Sequence, residues 1–268
     1  MALHFLADPD ASSIARAAGS PRDDAESALR ITVADARPGD EVVLTGSEAH
    51  HAAVVRRVRV GEEVTVGDGA GTWLSGTVVE AAPKRVVVRI AEHSVVPAHT
   101  PRIVLAQALA KGDRDELAVQ AATELGVDEI VPWQASRSVS RWDAVKAAKG
   151  VARWSTIVRE AAKQAHRAWV PHVAGPTTTA ALAALSAGAR VWVLEPTASA
   201  PLSQIDLDED DQRDIVLVVG PEGGISPEEL AALAAAGAEH VRLGDTVLRT
   251  STAGPAALAV LNARLGRW

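Results

Sequence analysis

The chain of 268 residues is 47% hydrophobic, contains no cysteine and carries a formal charge of −7. Its length suits two domains with ample cores, and the lack of cysteine excludes disulfides, thiolate metal sites and a cysteine nucleophile. The acidic total excludes retention of nucleic acid by bulk electrostatics alone.

Charge is unevenly spread. Residues 1–100 hold 10 Lys/Arg against 14 Asp/Glu, residues 101–175 hold 11 against 8, and residues 176–268 hold 6 against 12. The basic middle segment is either a contact for RNA phosphates or a solvated helix face. Every long apolar stretch is interrupted by charge or too short to span a bilayer, and MALHFLADPD lacks the regions of a signal peptide. A cytoplasmic protein without membrane contact is therefore expected. The eight histidines show no metal-ligand spacing, and the adjacent His50 and His51 would point about 100° apart on a helix, so no metal is expected.

From Ile31 onward, ITVADA, EVVLTG, EEVTVGDG, TWLSGTVVEA and KRVVVRIAE are short alternating or β-branched runs broken by Gly, Pro and Asp turns, the spacing of a barrel. Ser47 to Arg59 interrupts them as a helix with Arg56, Arg57 and Arg59 at its end. Those arginines either meet phosphates or complement the helix C-terminus. SVVPAHTPR at 94–102 is a linker, which divides the chain into a β domain, 1–96, and a second domain, 97–268.

The period then changes. IVLAQAL from Ile103 is a buried strand, Asp113 and Glu116 have N-cap and N3 spacing, and Leu117, Ala121 and Leu125 recur at helical intervals before Gly126. VDEIVPW is the next strand, followed by a long helix from about Asp143 to Arg167, a Thr-capped helix at about 179–187, and the strand VWVLEP at 191–196. Strands alternating with helices predict an α/β domain with a parallel sheet. The acidic run Asp206 to Asp214 reads as a solvated loop.

Two Gly/Pro-broken loops close the chain, each between an apolar strand and a helix. Ile215 to Val219 is a β-branched run suited to burial on both faces, and Gly220 to Gly224 is the turn after it. Ser226, Pro227 and Glu229 then form a capping box with proline at the first helical position. In the second unit Val241 to Leu243 is a short strand, Gly244 and Asp245 turn, and Arg249-Thr250-Ser251-Thr252 precedes a helix from about Ala256 to Leu265 with Pro255 in its first turn. Loops of this kind sit at the carboxyl ends of parallel strands, where glycines and helix N-termini cradle ligands. Taken singly, each is also an ordinary strand–helix connection.

GPEGG followed by SPEE, then LGDTVLRTSTA, resembles the carboxyl-terminal signature of the SPOUT methyltransferases, and of their RsmE family in particular. HFLADP, EAHHAAVVRRVRVGEEVTVGDGAG, KGDRDELAVQAATELGVDEIVPWQASRSVSRW and EAAKQAHRAWVPHV are similar to that family's other blocks, in its order, so the resemblance covers nearly the whole chain. It implies a PUA-like β-barrel RNA-binding domain followed by an α/β SPOUT domain with a deep trefoil knot. It further implies a homodimer that uses S-adenosylmethionine to methylate N3 of a uridine in 16S rRNA of the small ribosomal subunit. One departure stands out: where the family usually reads R-T-E-T-A, this chain has Ser251 in place of the glutamate, so no role for that carboxylate carries over.

The resemblance places the methyl donor among the loops after 191–196, 220–224 and 243–253. The donor-binding residues expected there are Leu194, Glu195, Pro196, Gly220, Glu222, Gly223, Gly224, Leu243, Gly244, Leu248, Thr250, Ser251, Thr252 and Ala253. Arg249 is expected nearest the uracil, where a guanidinium stabilises negative charge on its oxygens; a structural ion pair with Glu222 or Asp245 is the alternative. Glu222 is either the general base or an orienting group. RNA contacts are expected from Arg56, Arg57, Arg59, Lys111, Arg114, Arg137, Arg141 and Arg167. Trp142, Trp154 and Trp169 either stack bases or pack the core, the better expectation for at least two. The competing functions are a SPOUT enzyme acting on another nucleotide, such as a ribose 2′-OH, and a non-catalytic RNA-binding or ribosome assembly protein.

Overall fold

The computed structural model describes residues 2–7, 13–15, 32–208 and 210–268. Ile31 of ITVADA, Asp8 and Pro9 of HFLADP and Glu209 of the acidic run lie outside the described residues. Contacts divide the chain into two compact units, one of 1–98 with His166–Val170 and one of His99–Ala165 with Pro171–Trp268.

In the first unit β1 (Leu3–Leu6), β2 (Ser13–Ala15), β3 (Glu41–Leu44), β4 (Glu63–Gly67), β5 (Thr72–Ala82) and β6 (Arg85–Val95) form one sheet in the order β1-β4-β5-β6-β3-β2. β1 pairs with β4 in parallel; the other pairs are antiparallel. Thr72, Leu74, Gly76 and Val78 are buried while Trp73, Ser75 and Thr77 between them are half-buried, the two-residue period of a sheet with one covered face. Phe5, Leu44, Val66, Leu74, Val88 and Ile90 lie in the core beneath it.

Three expectations change here. The described part of ITVADA, from Thr32, is not a strand: Val33–Asp35 is a single 3-10 turn, because the Asp35 carboxylate accepts bonds from the Thr32 N–H (2.9 Å) and hydroxyl (2.7 Å), a local pairing that competes with a ladder. The helix of 47–59 is shorter, with α1 (Gly46–His50) running into a π-helical turn, His51–Val55. Arg56 caps this turn, its N–H donating to the His51 carbonyl (2.8 Å), and Arg57 has φ +54 just beyond it, so of the three exposed arginines Arg56 ends the helix while Arg57 and Arg59 follow it. Finally, His166–Val170 belongs to this unit. The Trp169 Nε1–H donates to the Val96 carbonyl (2.9 Å), and its ring lies over Gly71, where a Cβ would come within 2.7 Å. Trp169 is thus a packing residue, and Arg167 belongs to the β unit instead of ending the long helix.

The second unit contains β7 (Ile103–Ala108), α2 (Arg114–Glu124), β8 (Glu129–Trp133), α3 (Ala144–Gln164), β9 (His172–Val173), α4 (Thr179–Leu185), β10 (Arg190–Leu194), β11 (Ala200–Pro201), β12 (Ile215–Val219), α5 (Pro227–Ala235), β13 (Glu239–Arg242) and α6 (Thr250–Arg264). Its sheet runs β11-β13-β10-β12-β7-β8-β9, with every pair parallel. All residues of β7 and β12 are buried, as their unbroken apolar runs require of strands covered on both faces. α2 packs on α3 and α6, and α4 on α5.

Asp143 caps α3 by accepting from the Lys146 N–H (2.9 Å), and Thr178 caps α4 through Ala181. Asp113 occupies the N-cap of α2 without a side-chain cap bond, and Glu116 instead pairs with Arg153 at 2.8 Å. Trp142 meets the buried Trp154 edge to face at 5.4 Å and covers Gly150, where a Cβ would lie 2.4 Å from its ring. α6 begins at Thr250, six residues earlier than expected, with Pro255 inside it. Gly254 lets that helix approach β7, since a Cβ there would stand 3.0 Å from Leu105.

Candidate ligand-binding site

The sheet order makes β13, β10 and β12 neighbours, so the loops leaving their carboxyl ends converge. They enclose a cavity of about 420 Å³, within the range of small-molecule sites, at the edge where open parallel sheets bind ligands.

Each loop is held by bonds its sequence supplies. In the loop after β12, Ser226 and Glu229 form the expected reciprocal cap of α5, with bonds of 3.2 and 3.3 Å. Gly224 has φ +71, a conformation that favours glycine, and a Cβ on Gly220 would stand 2.6 Å from Ile225 Cγ1. The loop after β10 is tied down by the Arg242 guanidinium, which donates to the carbonyls of Ala198 (2.9 Å) and Ser199. The Thr250 hydroxyl joins the other two loops: it donates to the Gly220 carbonyl (2.8 Å) and accepts from Gln107 Nε2 (2.9 Å).

Of the expected donor residues, Leu194, Glu195, Pro196, Gly220, Glu222, Gly224, Leu243, Gly244, Leu248, Thr250 and Ala253 line this cavity, with Arg249 beside them. Gly223, Ser251 and Thr252 are not among its lining residues. Gly223 faces Arg137 instead, its Cβ direction pointing to a spot 3.3 Å from Arg137 Cβ, while Ser251 and Thr252 lie in the first turn of α6. Arg114, Arg242 and Thr246 also line the cavity. Arg242 lies inside the strand expected at Val241 to Leu243, and only its place at the end of β13 brings it to the cavity; Arg114 had no signal pointing away from RNA.

Glu222 is engaged from two sides. One carboxylate oxygen accepts from Arg114 Nη1 (2.8 Å) and from the Lys111 N–H (3.0 Å). Partial burial pushes its pKa up, but bonds from its own N–H, from Arg114 and from Lys111 outweigh this and hold it below the ordinary carboxylate value. A carboxylate so stabilised is a poor proton acceptor and a good anchor. Arg249 is exposed, and among the described residues it makes no ion pair, with neither Glu222 nor Asp245. Its carbonyl accepts from the N–H groups of Thr252 and Ala253 (2.8 and 3.0 Å), which fixes its backbone as the N-cap of α6.

Arg137 and Arg141 occupy the loop between β8 and α3. Arg137 Nη1 donates to the Gly223 carbonyl (3.2 Å) and Arg141 Nη2 to the Ser136 carbonyl (2.8 Å), and both side chains are exposed. Among the described residues no group of three or more His, Asp or Glu side chains could hold a metal ion, and no helix is long and apolar enough to cross a membrane.

Residues 97–262 match an RNA methyltransferase domain and residues 44–91 an RNA methyltransferase PUA domain. A parallel α/β unit with a loop-built cavity, carrying that domain signature, defines the class as RNA methyltransferase. Ribosomal RNA small subunit methyltransferase E of Mycobacterium bovis is 43% identical over 86% of this chain and 89% of its own, and that of Synechocystis is 32% identical over 84% and 73%. The structure of ribosomal RNA small subunit methyltransferase E of Neisseria gonorrhoeae, bound to S-adenosyl methionine, superposes with a TM-score of 0.76 at 30% identity, covering 85% of this chain and 94% of that one. The chain belongs to the ribosomal RNA small subunit methyltransferase E family.

Proposed function

We propose that this protein transfers a methyl group from S-adenosylmethionine to N3 of a uridine in 16S rRNA of the small ribosomal subunit. The observation that carries this reading is the cavity at the ends of three adjacent parallel strands, with the exposed Arg249 guanidinium, without an ion pair among the described residues, at its edge. The residues present suit the donor. Leu194, Gly220 and Leu243 line the cavity where an adenosine would lie, Glu195 and Glu222 would balance the positive charge of sulfonium and amino groups, and Arg114 and Arg242 would meet the carboxylate.

When bound, S-adenosylmethionine supplies an electrophilic methyl group. The chain's task is then positioning and electrostatics. The Gln107–Thr250–Gly220 chain of bonds holds two donor loops in fixed relation, and Glu222 ties the loop after β12 to Lys111 and Arg114. Arg249 would face the uracil oxygens, on which negative charge builds as N3 gives up its proton to water, and a guanidinium there stabilises that charge without accepting the proton. The lowered pKa of Glu222 favours an orienting role over that of proton acceptor. Exposed Arg56, Arg57, Arg59, Arg137 and Arg141 suit RNA phosphates. Arg114, turned to Glu222, suits the donor site better than RNA.

The same reading makes the second unit a SPOUT domain with a trefoil knot, the first a PUA-like barrel that binds RNA, and the working form a cytoplasmic homodimer. The direct test is incubation of the purified protein with unmodified small subunits and isotope-labelled S-adenosylmethionine, followed by nucleoside mass spectrometry. Labelled 3-methyluridine is expected; a 2′-O-methylated product would support the alternative enzyme, and donor binding without product a non-catalytic protein.

A further inference from the structure

We infer that Glu229 is a positioning residue that fixes the loop carrying Arg137 and Arg141 against the loop after β12. Glu229 stands in the first turn of α5 and is 8% exposed. A helix cap needs only its bond from the Ser226 N–H. This carboxylate accepts three more: from the Ser136 N–H (2.8 Å), the Ser136 hydroxyl (2.7 Å) and the Thr179 hydroxyl (2.8 Å). Burying a carboxylate is costly unless donors compensate it, and here they come from two other connections of the sheet. Burial pushes its pKa up, but the bonds from Ser136, Thr179 and Ser226 outweigh burial and hold it below the ordinary value, so it is ionised at neutral pH.

From this one group the connections reach both arginines. Ser136 precedes Arg137 in the chain, and its carbonyl accepts from Arg141. Arg137 in turn donates to the Gly223 carbonyl, so the arginine loop and the donor loop touch directly. Both loops are therefore referenced to the same turn of α5: one ends in its cap, and the other is bonded to the cap's carboxylate. On the functional reading above, this sets the distance between RNA-facing cations and the methyl donor. Misplacement of the loop weakens RNA capture without altering the donor cavity, which Glu229 does not line.

The experiment uses the full chain and two variants. Glu229→Gln is nearly isosteric and leaves an amide oxygen for the cap, but turns a donor group toward Ser136 or Thr179; Ser136→Ala removes only the hydroxyl end of the link. Trypsin cleavage after Arg137 and Arg141, donor affinity by calorimetry, and methylation kinetics against subunit concentration are measured for each variant and for the double variant. In Glu229→Gln, cleavage at these arginines is expected to quicken and subunit KM to rise, each about tenfold, with kcat and donor Kd within about twofold. The double variant should be no worse than Glu229→Gln, because both cut one link. Unchanged cleavage and KM, additive losses, or donor affinity falling in step with subunit affinity, as loss of a mere cap would produce, overturns the inference. If Glu229→Gln does not fold, Ser136→Ala decides by the same readouts. Wild-type protein that methylates no subunit would defeat the functional reading, and the cleavage comparison would still decide the role of Glu229.

Discussion

Arg114, in the first turn of α2, reaches across to the loop after β12 and places Nη1 2.8 Å from a carboxylate oxygen of Glu222. That pairing favours a donor-site role for Arg114 over the expected RNA contact and, of the two roles open to Glu222, orienting over general base. It also gives donor binding a pH dependence. The folded-state pKa of Glu222 is depressed, so the anchoring it provides is fully present above the ordinary carboxylate range and is lost as pH falls through the depressed value. Arg114→Ala should weaken donor binding and move this loss to higher pH, read by calorimetry at a series of pH values. Unchanged affinity and an unshifted profile would show that the pair does not hold the cavity.

Gly220 and Gly223 differ in what a methyl group would meet. At Gly220 a Cβ would lie 2.6 Å from Ile225, inside the loop that lines the cavity; at Gly223 it would lie 3.3 Å from Arg137, on the side of the arginine loop. Gly220→Ala is therefore expected to lower donor affinity about tenfold or more through a shifted loop, while Gly223→Ala leaves donor affinity near wild type and weakens RNA binding. Calorimetry and filter binding on the two variants check this. Equal donor losses would refute the distinction.

Arg137 and Arg141 lie in the basic segment, where Lys/Arg exceed Asp/Glu by 11 to 8. Replacing both by Ala should weaken binding to small subunits and reduce the slope of log affinity against log salt by about 1.4 to 1.8, the equivalent of two phosphates, with donor binding retained. A slope equal to wild type would place the phosphates elsewhere, on Arg56, Arg57 and Arg59.

Arg249→Ala should reduce single-turnover methylation roughly 10²–10³-fold with little change in donor affinity, as for a charge-assisted contact made mainly in the transition state. Arg249→Lys should also be impaired, since an ammonium lacks the planar fork. Collapse of donor affinity in Arg249→Ala would instead mark the residue as a support for the start of α6.

What the chain shows locally was legible; what depends on distant partners was not. The apolar run Ile215–Val219 and the Ser226–Glu229 cap carry their own signals, and both are present with the expected boundaries. The start of α6 was obscured because Pro255 looks like a first-turn residue, whereas the helix is held from Thr250 by bonds to Gln107 and Gly220, residues that periodicity cannot connect to it. His166 and Arg167 read as the end of a long helix, yet α3 stops at Gln164 and the residues that follow, Ala168 to Val170, are bonded to Gly69, Gly71 and Val96. The glycine content of GPEGG marked a loop that lines the cavity but could not say which glycine faces it, because that depends on Ile225 and Arg137 packing against it.

The most direct test of the central claim, that this cavity serves N3 methylation of a 16S rRNA uridine, is nucleoside mass spectrometry of 16S rRNA from a strain lacking the gene. Loss of 3-methyluridine alone is expected, restored by the wild-type chain and not by Arg249→Ala. Retention of 3-methyluridine, or loss of a different modified nucleoside, would contradict it.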